Sequence, residues 1–318
     1  MVIIQLAGGL GNQMFQYALY LQFQNLHKEV KIDDVAGFVE DEKRDPSLSA
    51  FGITYQKADP KEIEEMLDAS LLFWHRVRRK LFGRKRKSYF EADKRFKPEI
   101  FTWDDIYLEG YWQTEKYFEA VADQVRAAFD VDRLLMVQQA EDMAKAGRTK
   151  QQTKVQTYLR QITQTQSVSL HIRRGDYLTP ENQALFGGIC TEAYYKEAVR
   201  LMRKQYPGCR FFLFTNDKEW AKERFADDKG GRTTETALAD GEPADVIVVD
   251  LPEGSDHEEF ALMSKCKHHI LANSSFSWWA SYLNQNPGKT VLAPTKWLNG
   301  WDCQDFYRKD MRKVSVTP

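Results

Sequence analysis

Short apolar runs alternate with amphipathic stretches at both ends of this chain, and that alternation constrains its fold more than any other feature. Apolar runs bounded by polar residues or glycine predict buried strands, and the amphipathic stretches between them predict helices. Alternating strands and helices predict parallel sheets covered by helices, so the fold class is α/β. The predicted strands are Val2–Leu6, Val30–Ile32, Val168–Ile172, Phe211–Phe214, Val246–Val249, His269–Ala272 and Thr290–Leu292, and the clearest helices are Asn12–His27, Thr191–Tyr206 and Ser275–Asn286.

The length of 318 residues predicts two domains, at about 150 residues per domain. Between the two α/β regions, Gln138–Gln166 is helical in pattern, polar and poor in large apolar side chains. We place the junction near residue 160, which gives domains 1–160 and 161–318.

Charge and cysteine usage narrow the function classes. The formal net charge of −1 gives no global field that attracts nucleic acid, so no nucleic-acid partner is expected. No apolar run is long enough to cross a bilayer and the first residues do not resemble a signal peptide, so we expect a cytoplasmic protein. The four cysteines, Cys190, Cys209, Cys266 and Cys303, are scattered and are expected to be reduced thiols.

A basic run extends from Arg76 to Lys87. It has two interpretations: a solvated helix end and turn, which we favour, or a surface that contacts anionic lipid or an acidic acceptor. The second would place the protein at the inner face of the membrane through peripheral contact.

A glycine loop, AGGLGNQMFQYA, follows the first predicted strand and opens the first helix. Glycine lets a backbone turn sharply beside a ligand, and a helix N-terminus can face an anion. Asp33 and Asp34 stand where a ribose-binding acid would follow in a dinucleotide-binding site. The fingerprint is incomplete, because a G-x-G beginning at Gly9 and Gly11 puts Met14 where the third glycine belongs.

The segment VSLHIRRGDYL is the most informative about chemistry. As a strand it puts His171 and Arg173 on one face and Arg174 on the other. Ligands of open α/β sheets bind at the carboxyl ends of strands, and the guanidinium fork of arginine matches phosphate oxygens. The alternative is that one arginine pairs with Asp176 and ties down the loop.

Two further strand ends carry polar groups. Asn273, Ser274 and Ser275 open a helix with small side chains and unsatisfied N–H groups, a combination that favours phosphate but also serves ordinary capping. Asn216 and Asp217 close another strand and either line the same cleft or cap the next helix.

Metal sites are poorly supported. Asp130 and Asp132 have D-x-D spacing but follow a helical stretch, which indicates a turn at a helix end. His257 lacks the second histidine of an H-E-x-x-H motif, and His268 and His269 are interpreted as structural. No metal is predicted.

Taken in order, GGLGNQMFQYA, YLEGYWQTEKYF, HIRRGDY, FTND and NSSFSWWAS resemble the motif series of the alpha-1,2-fucosyltransferases, glycosyltransferase family 11. The resemblance implies two Rossmann-like lobes of the GT-B type with the active site in the cleft between them. It implies GDP-fucose as donor, a galactose-containing glycan as acceptor at its 2-hydroxyl, inversion at the anomeric carbon, and no cofactor or required metal. Residues 1–160 would serve the acceptor and 161–318 the donor.

The resemblance also implies residue roles. Arg173 would contact the donor β-phosphate and stabilise the departing GDP, and Asp176 is our candidate base, although it could instead orient the arginines. Glu259 stands where the family often has aspartate, as a candidate contact to guanine. The predicted donor-binding residues are His171, Arg174, Asn216, Asp217, Glu259, Asn273, Ser274, Ser275, Phe276 and Ser277, and the predicted cleft loop contains Gly9, Gly11, Asn12 and Gln13.

Two other classes stay open at this stage. A nucleotide-dependent oxidoreductase is suggested by the glycine loop with Asp33 and Asp34, and a non-catalytic carbohydrate-binding protein by the aromatic content of 13%. Neither class needs two sites suited to a diphosphate, which is why a transferase is favoured.

Overall fold

The structure, a computed structural model, contains two compact units, each of which is α/β. One unit comprises Met1–Phe129 with Gln304–Phe306, and the other comprises Asp130–Cys303 with Tyr307–Pro318. The division at Phe129 precedes the junction predicted near residue 160. Residues around 160 belong with the second unit because Lys154 and Tyr158 bond to Asp250 and Val248. The described residues are 1–41, 44–69, 77–78, 80–81, 85–136, 150–225 and 245–315.

The first unit is built on a four-stranded sheet in which every pairing is parallel. The order across the sheet is β2-β1-β4-β3, so the first strand is central. Its strands are β1 (Val2–Ala7), β2 (Val30–Gly37), β3 (Ser88–Phe90) and β4 (Ile106–Glu109), and its helices are α1 (Leu10–Asn25), α2 (Pro60–Met66) and α3 (Ala122–Ala128).

Helix α1 is the core of this unit, since most of its residues are buried. Two of them, Gln13 and Gln16, are glutamines with no exposed surface. Buried amides are tolerated only when they are hydrogen-bonded. Gln16 accepts from Ala7 N at 3.0 Å and donates to the Gly110 carbonyl at 2.8 Å, which fastens the ends of β1 and β4 to α1.

The second unit contains a six-stranded sheet, again with parallel pairings throughout. The order is β10-β9-β8-β5-β6-β7. Its strands are β5 (Ser167–Ile172), β6 (Arg210–Thr215), β7 (Val246–Val248), β8 (His268–Ile270), β9 (Val291–Pro294) and β10 (Met311–Val314). Its helices are α4 (Lys150–Gln164), α5 (Pro180–Phe186), α6 (Glu192–Gln205), α7 (Lys218–Phe225), α8 (Asp256–Lys265) and α9 (Ser275–Leu283).

Both faces of β5 are covered, so all six of its residues are buried. Val168, Leu170 and Ile172 pack into an apolar cluster with α6. On the other face, Ser169 bonds to His269 and the His171 ring lies 5.9 Å from the ring of Phe276. The predicted alternation along this strand is therefore confirmed.

Three strands, β3, β4 and β10, were not predicted. Each has three or four residues, too few for a periodic pattern to stand out. In β10, moreover, Arg312 and Lys313 are exposed, as is common at the edge of a sheet. Within the described part of the chain, no helix combines the length and the apolar character needed to span a membrane.

Candidate active site

The carboxyl edge of the second sheet gathers the charged groups that the sequence singled out. Strand β5 ends at Ile172, and the half-buried Arg173 and Arg174 follow it directly. A short 3-10 helix, Gly175–Leu178, then turns the chain away. Gly175 has φ +25°, and a Cβ there would lie 2.5 Å from Nδ2 of Asn216, so the tip of β5 packs closely on the end of β6.

Arg174 is engaged with its own unit. Its backbone N–H donates to Oδ1 of Asn216 at 3.0 Å, and its Nε donates to Oδ2 of Asp217 at 3.2 Å. The guanidinium also stacks over Trp220, 4.3 Å from the ring centroid. These contacts tie the β5 tip to the start of α7. Within the described residues, the acidic partner of Arg174 is therefore Asp217. The sequence suggested Asp176 for this pairing, and the side chain of Asp176 lies outside the described residues.

Arg173 lies beside Tyr177, with its guanidinium carbon 5.6 Å from the ring centroid. The Tyr177 hydroxyl donates to the Asn273 carbonyl at 2.9 Å, and its ring stacks on Phe186 at 4.4 Å. Tyr177 thereby braces the arginine tip against the turn after β8. It was not singled out from the sequence, although it closes the HIRRGDY motif.

The turn after β8 forms the second part of this edge. Ser274 caps α9 by accepting from Phe276 N at 3.3 Å, so the predicted capping role is confirmed. Asn273 is buried and donates to the Trp297 carbonyl at 3.1 Å, and the buried Ser277 hydroxyl bonds to backbone carbonyls. Ser275 is only half-buried at the helix start.

The remainder of α9 holds this turn in place. Trp278 and Trp279 are almost fully buried. Arg308 stacks over Trp278 at 4.6 Å and donates to the Trp278 carbonyl and to Ser281 Oγ. Truncating a buried tryptophan typically costs about 3–5 kcal/mol, so these contacts fix the helix whose first turn lies at the edge.

Glu259 is a buried carboxylate on α8. Its Oε1 lies 2.7 Å from Nζ of Lys218, which also donates to the Leu251 carbonyl. Burial raises the pKa of Glu259 to about 7, because desolvation outweighs the attraction of Lys218. Lys218 was missed in the sequence, where only Asn216 and Asp217 marked the end of β6.

In the first unit, the glycine loop is held by amide side chains. Gly8 has φ +74°, a conformation that favours glycine, and Gly9 precedes the first turn of α1, which contains Gly11. Gln13 donates to the Gly8 carbonyl at 2.8 Å and accepts from Ser47 N at 2.7 Å. Asn12 accepts from Gln113 Nε2 at 2.6 Å.

A second tight segment adjoins the loop where β4 ends. The buried carboxylate of Glu91 accepts from Tyr111 N at 3.0 Å and from Trp112 N at 3.3 Å. The Trp112 backbone has φ +54°, although its indole is fully buried. A bulky residue in this conformation costs about 1–3 kcal/mol, so the surrounding contacts must enforce it.

The acids proposed for a dinucleotide site have other partners. Asp33 is buried, accepts from the backbone of Val35 at 3.0 Å and from the Tyr107 hydroxyl at 2.7 Å. Asp34 accepts from the Tyr55 hydroxyl and pairs with Lys57 at 2.7 Å. These contacts explain both carboxylates as structural.

The candidate metal motifs also have structural partners. Asp130 caps the helical turn that follows by accepting from Asp132 N at 2.9 Å, and Asp132 pairs with Lys265 at 2.5 Å. His268 and His269 are buried and hydrogen-bonded. Among the residues that the structure describes, no group of three or more His, Cys, Asp or Glu side chains is arranged to hold a metal ion.

Comparison with known proteins identifies the enzyme class of this protein. Residues 93–311 match the model of glycosyl transferase family 11. An alpha-1,2-colitosyltransferase of Escherichia coli is 27% identical over 96% of this chain and 95% of its own length. The O-antigen biosynthesis glycosyltransferase WbnK of Escherichia coli is 27% identical over 93% and 94%. The galactoside alpha-(1,2)-fucosyltransferase 1 of Ateles belzebuth is 25% identical over 87% of this chain and 63% of its own length.

Solved structures give more distant likenesses. Escherichia coli ADP-heptose lps heptosyltransferase II aligns over 98% of this chain and 89% of its own, with 14% identity and a TM-score of 0.43. A variant of Arabidopsis thaliana FUT1 in complex with GDP aligns over 92% and 69%, with 12% identity and a TM-score of 0.43. The class is carried by the family match, which covers most of the chain: this protein is a glycosyltransferase and belongs to glycosyl transferase family 11.

Proposed function

We propose that this glycosyltransferase moves L-fucose from GDP-fucose to the 2-hydroxyl of a terminal galactose, with inversion at the anomeric carbon. Two similar proteins are named for alpha-1,2 transfer, and one of them for a galactoside acceptor. The observation that carries the proposal is the position of Arg173 at the end of the central strand β5, beside the turn that opens α9.

The donor requires positive charge where its diphosphate departs. Breaking the sugar–phosphate bond leaves additional negative charge on GDP, and a preorganised cation lowers the barrier when it faces that charge. The contacts of Arg174 with Asp217 and Trp220 hold the residue next to Arg173, which supports a preorganised position for Arg173. The first N–H groups of α9 add a partial positive charge.

The ion pair of Glu259 with Lys218 joins the helices that follow β6 and β7. We propose that their ion pair lies against the guanine of the donor, because guanine presents N–H groups that a carboxylate accepts. Asp176 is kept as the proposed base that removes the proton from the attacking hydroxyl. The reaction is proposed to need neither a metal nor a cofactor.

A second candidate is colitosyl transfer, favoured by a similar protein that spans nearly all of this chain. It would use the same residues of the second unit and would differ only in the sugar.

The acceptor is proposed to be a free oligosaccharide or a surface-polysaccharide precursor. Lys85, Arg86 and Lys87 of the basic run are exposed, as both interpretations of the run require, while Arg76, Arg79 and residues 82–84 lie outside the described residues. Contact of this run with an anionic membrane surface at the cytoplasmic side is the second of those interpretations.

The test is to incubate the protein with GDP-fucose and lactose in excess EDTA and to follow GDP release and the linkage of the product. Product joined at the galactose 2-hydroxyl supports donor, linkage and metal independence together. A parallel reaction with the colitosyl donor, compared by kcat/KM, separates the two candidates. Absence of GDP release from either donor across a panel of galactosides would overturn the proposal.

A further inference from the structure

Tyr111 is a large aromatic side chain that a tightly held segment of the first unit presents to solvent. Its side chain is 37% exposed, while the next residue, Trp112, has no exposed surface. The segment lies at the carboxyl end of β4, directly after Gly110. The backbone on both sides of Tyr111 is held by hydrogen bonds.

The rigidity has identifiable causes. Glu91 accepts the N–H groups of Tyr111 and Trp112, and Gln16 donates to the Gly110 carbonyl at 2.8 Å. A Cβ at Gly110 would lie 2.5 Å from Cβ of Glu91, so the backbone sits directly on that side chain. Strained backbone that its surroundings over-determine is concentrated at ligand sites. The φ of +54° at Trp112 is such an outlier.

The Tyr111 ring adjoins the glycine loop of the same unit. A Cβ built at Gly8 would lie 3.2 Å from Cε1 of Tyr111 and 2.7 Å from Nδ2 of Asn12. The Tyr111 ring and the Asn12 amide therefore both lie close to the backbone of Gly8. Asn12 bonds to Gln113. The Cε1 edge of the Tyr111 ring thus lies near the Asn12 amide, which bonds to Gln113, and Nζ of Lys94 lies 6.0 Å from the ring centroid. At Gly8 the absence of a side chain lets a ligand approach the backbone closely.

We propose that Tyr111 is a stacking platform for the terminal sugar of the acceptor, with Asn12 and Gln113 contacting its hydroxyl groups. The face of an aromatic ring is negative and attracts the weakly positive C–H groups on one side of a pyranose ring. Amides both donate and accept, as sugar hydroxyls require. The inference rests on the proposed function, and it names Tyr111 as a determinant of acceptor binding and not of donor binding.

The test compares Tyr111→Ala and Tyr111→Phe with wild type, using GDP-fucose and lactose. For Tyr111→Ala we expect the KM for lactose to rise about tenfold, while the KM for GDP-fucose and the rate of donor hydrolysis without acceptor stay unchanged. Tyr111→Phe keeps the face and should stay near wild type. Phe90→Ala is the matched control, because Phe90 is a 65% exposed aromatic residue of the same unit.

Three results would overturn the inference: an unchanged lactose KM in Tyr111→Ala, a rise in the donor KM in its place, or an equal loss in Tyr111→Phe. Failure of the proposed function is recognised separately, as no transfer by wild type. In that case saturation-transfer NMR with methyl β-galactoside still decides. Signal from wild type that disappears in Tyr111→Ala supports the platform, and equal signals, or none from wild type, contradict it.

Discussion

The carboxyl edges of the two sheets are built alike and differ in chemistry. In each unit a central parallel strand ends in a turn that leads to or adjoins a helix start. At the first edge the turn is held by the amides of Gln13 and Gln16 beside an exposed aromatic ring. At the second edge Arg173 and Arg174 follow the end of β5, and the ion pair of Lys218 with Glu259 joins α7 to α8.

Each edge offers groups that suit a different type of ligand. Arginine and lysine suit a diphosphate, because their charge persists and matches phosphate oxygens. Amides and an aromatic face suit a neutral sugar, which offers hydroxyl groups and C–H surfaces. Under the proposed function, one structural plan serves a charged donor in one unit and a neutral acceptor in the other.

The largest expected effect is at Arg173. Arg173→Ala should lower kcat by about 10²–10³-fold, because a preorganised group facing the leaving-group charge is lost. The fold should be retained, since Arg173 follows the end of β5 and is only half-buried. The measurement is GDP release together with a thermal unfolding curve. Arg200→Ala, an exposed helix arginine paired with Glu197, is the control, and wild-type turnover in Arg173→Ala would remove the assignment.

Replacing Arg174 should lower activity less, because we expect this residue to act by holding the tip of β5 in position. Arg174→Ala loses the contacts with Asp217 and Trp220, each worth about 0.2–1 kcal/mol at exposed sites. We expect the donor KM to rise about tenfold and the acceptor KM to stay constant. Arg174→Lys keeps the charge but not the planar fork and should recover only part of the loss. Equal rises in both KM values would indicate a general loss of structure.

Glu259 provides a test of the second edge through pH. Its folded-state pKa is raised to about 7, so the protonated form is favoured by folding. The contribution of protonated Glu259 to the free energy of unfolding is fully present below the unfolded-state pKa and is lost as pH rises through about 7. Glu259→Gln cannot ionise, so its stability relative to wild type should improve from pH 5 to pH 8. Urea unfolding at both values measures this, and a pH-independent difference would contradict it.

The smallest effect is expected at the opposite, amino edge of the second sheet. Burial lowers the pKa of His268 to about 4, so the neutral ring is favoured by folding. Its stabilisation is present above the unfolded-state value of about 6.5 and is lost as pH falls toward about 4. His268→Gln should flatten the loss of unfolding free energy in this range. Transfer at pH 7.5 should be unchanged, and a large loss of turnover there would mean that the amino edge matters to catalysis.

Sequence alone predicted much of this arrangement, for reasons that particular residues make clear. The apolar alternation of Val168, Leu170 and Ile172 predicted the position of β5 and which of its residues share a face. Side-chain pairings between residues that lie far apart in the sequence could not be predicted. The pairing of Arg174 with Asp217 and of Glu259 with Lys218 depends on which strands become neighbours. The positive φ of Trp112 depends on a carboxylate about twenty residues away in sequence, at Glu91, which no local pattern reveals.

The division of labour between the edges is tested most directly by calorimetric titration of GDP into wild type, Arg173→Ala and Tyr111→Ala. The account predicts that Tyr111→Ala binds GDP as tightly as wild type, whereas Arg173→Ala binds it about a hundredfold more weakly, as the loss of a charge-assisted contact to phosphate implies. Weakened binding of GDP by Tyr111→Ala together with undiminished binding by Arg173→Ala would contradict it.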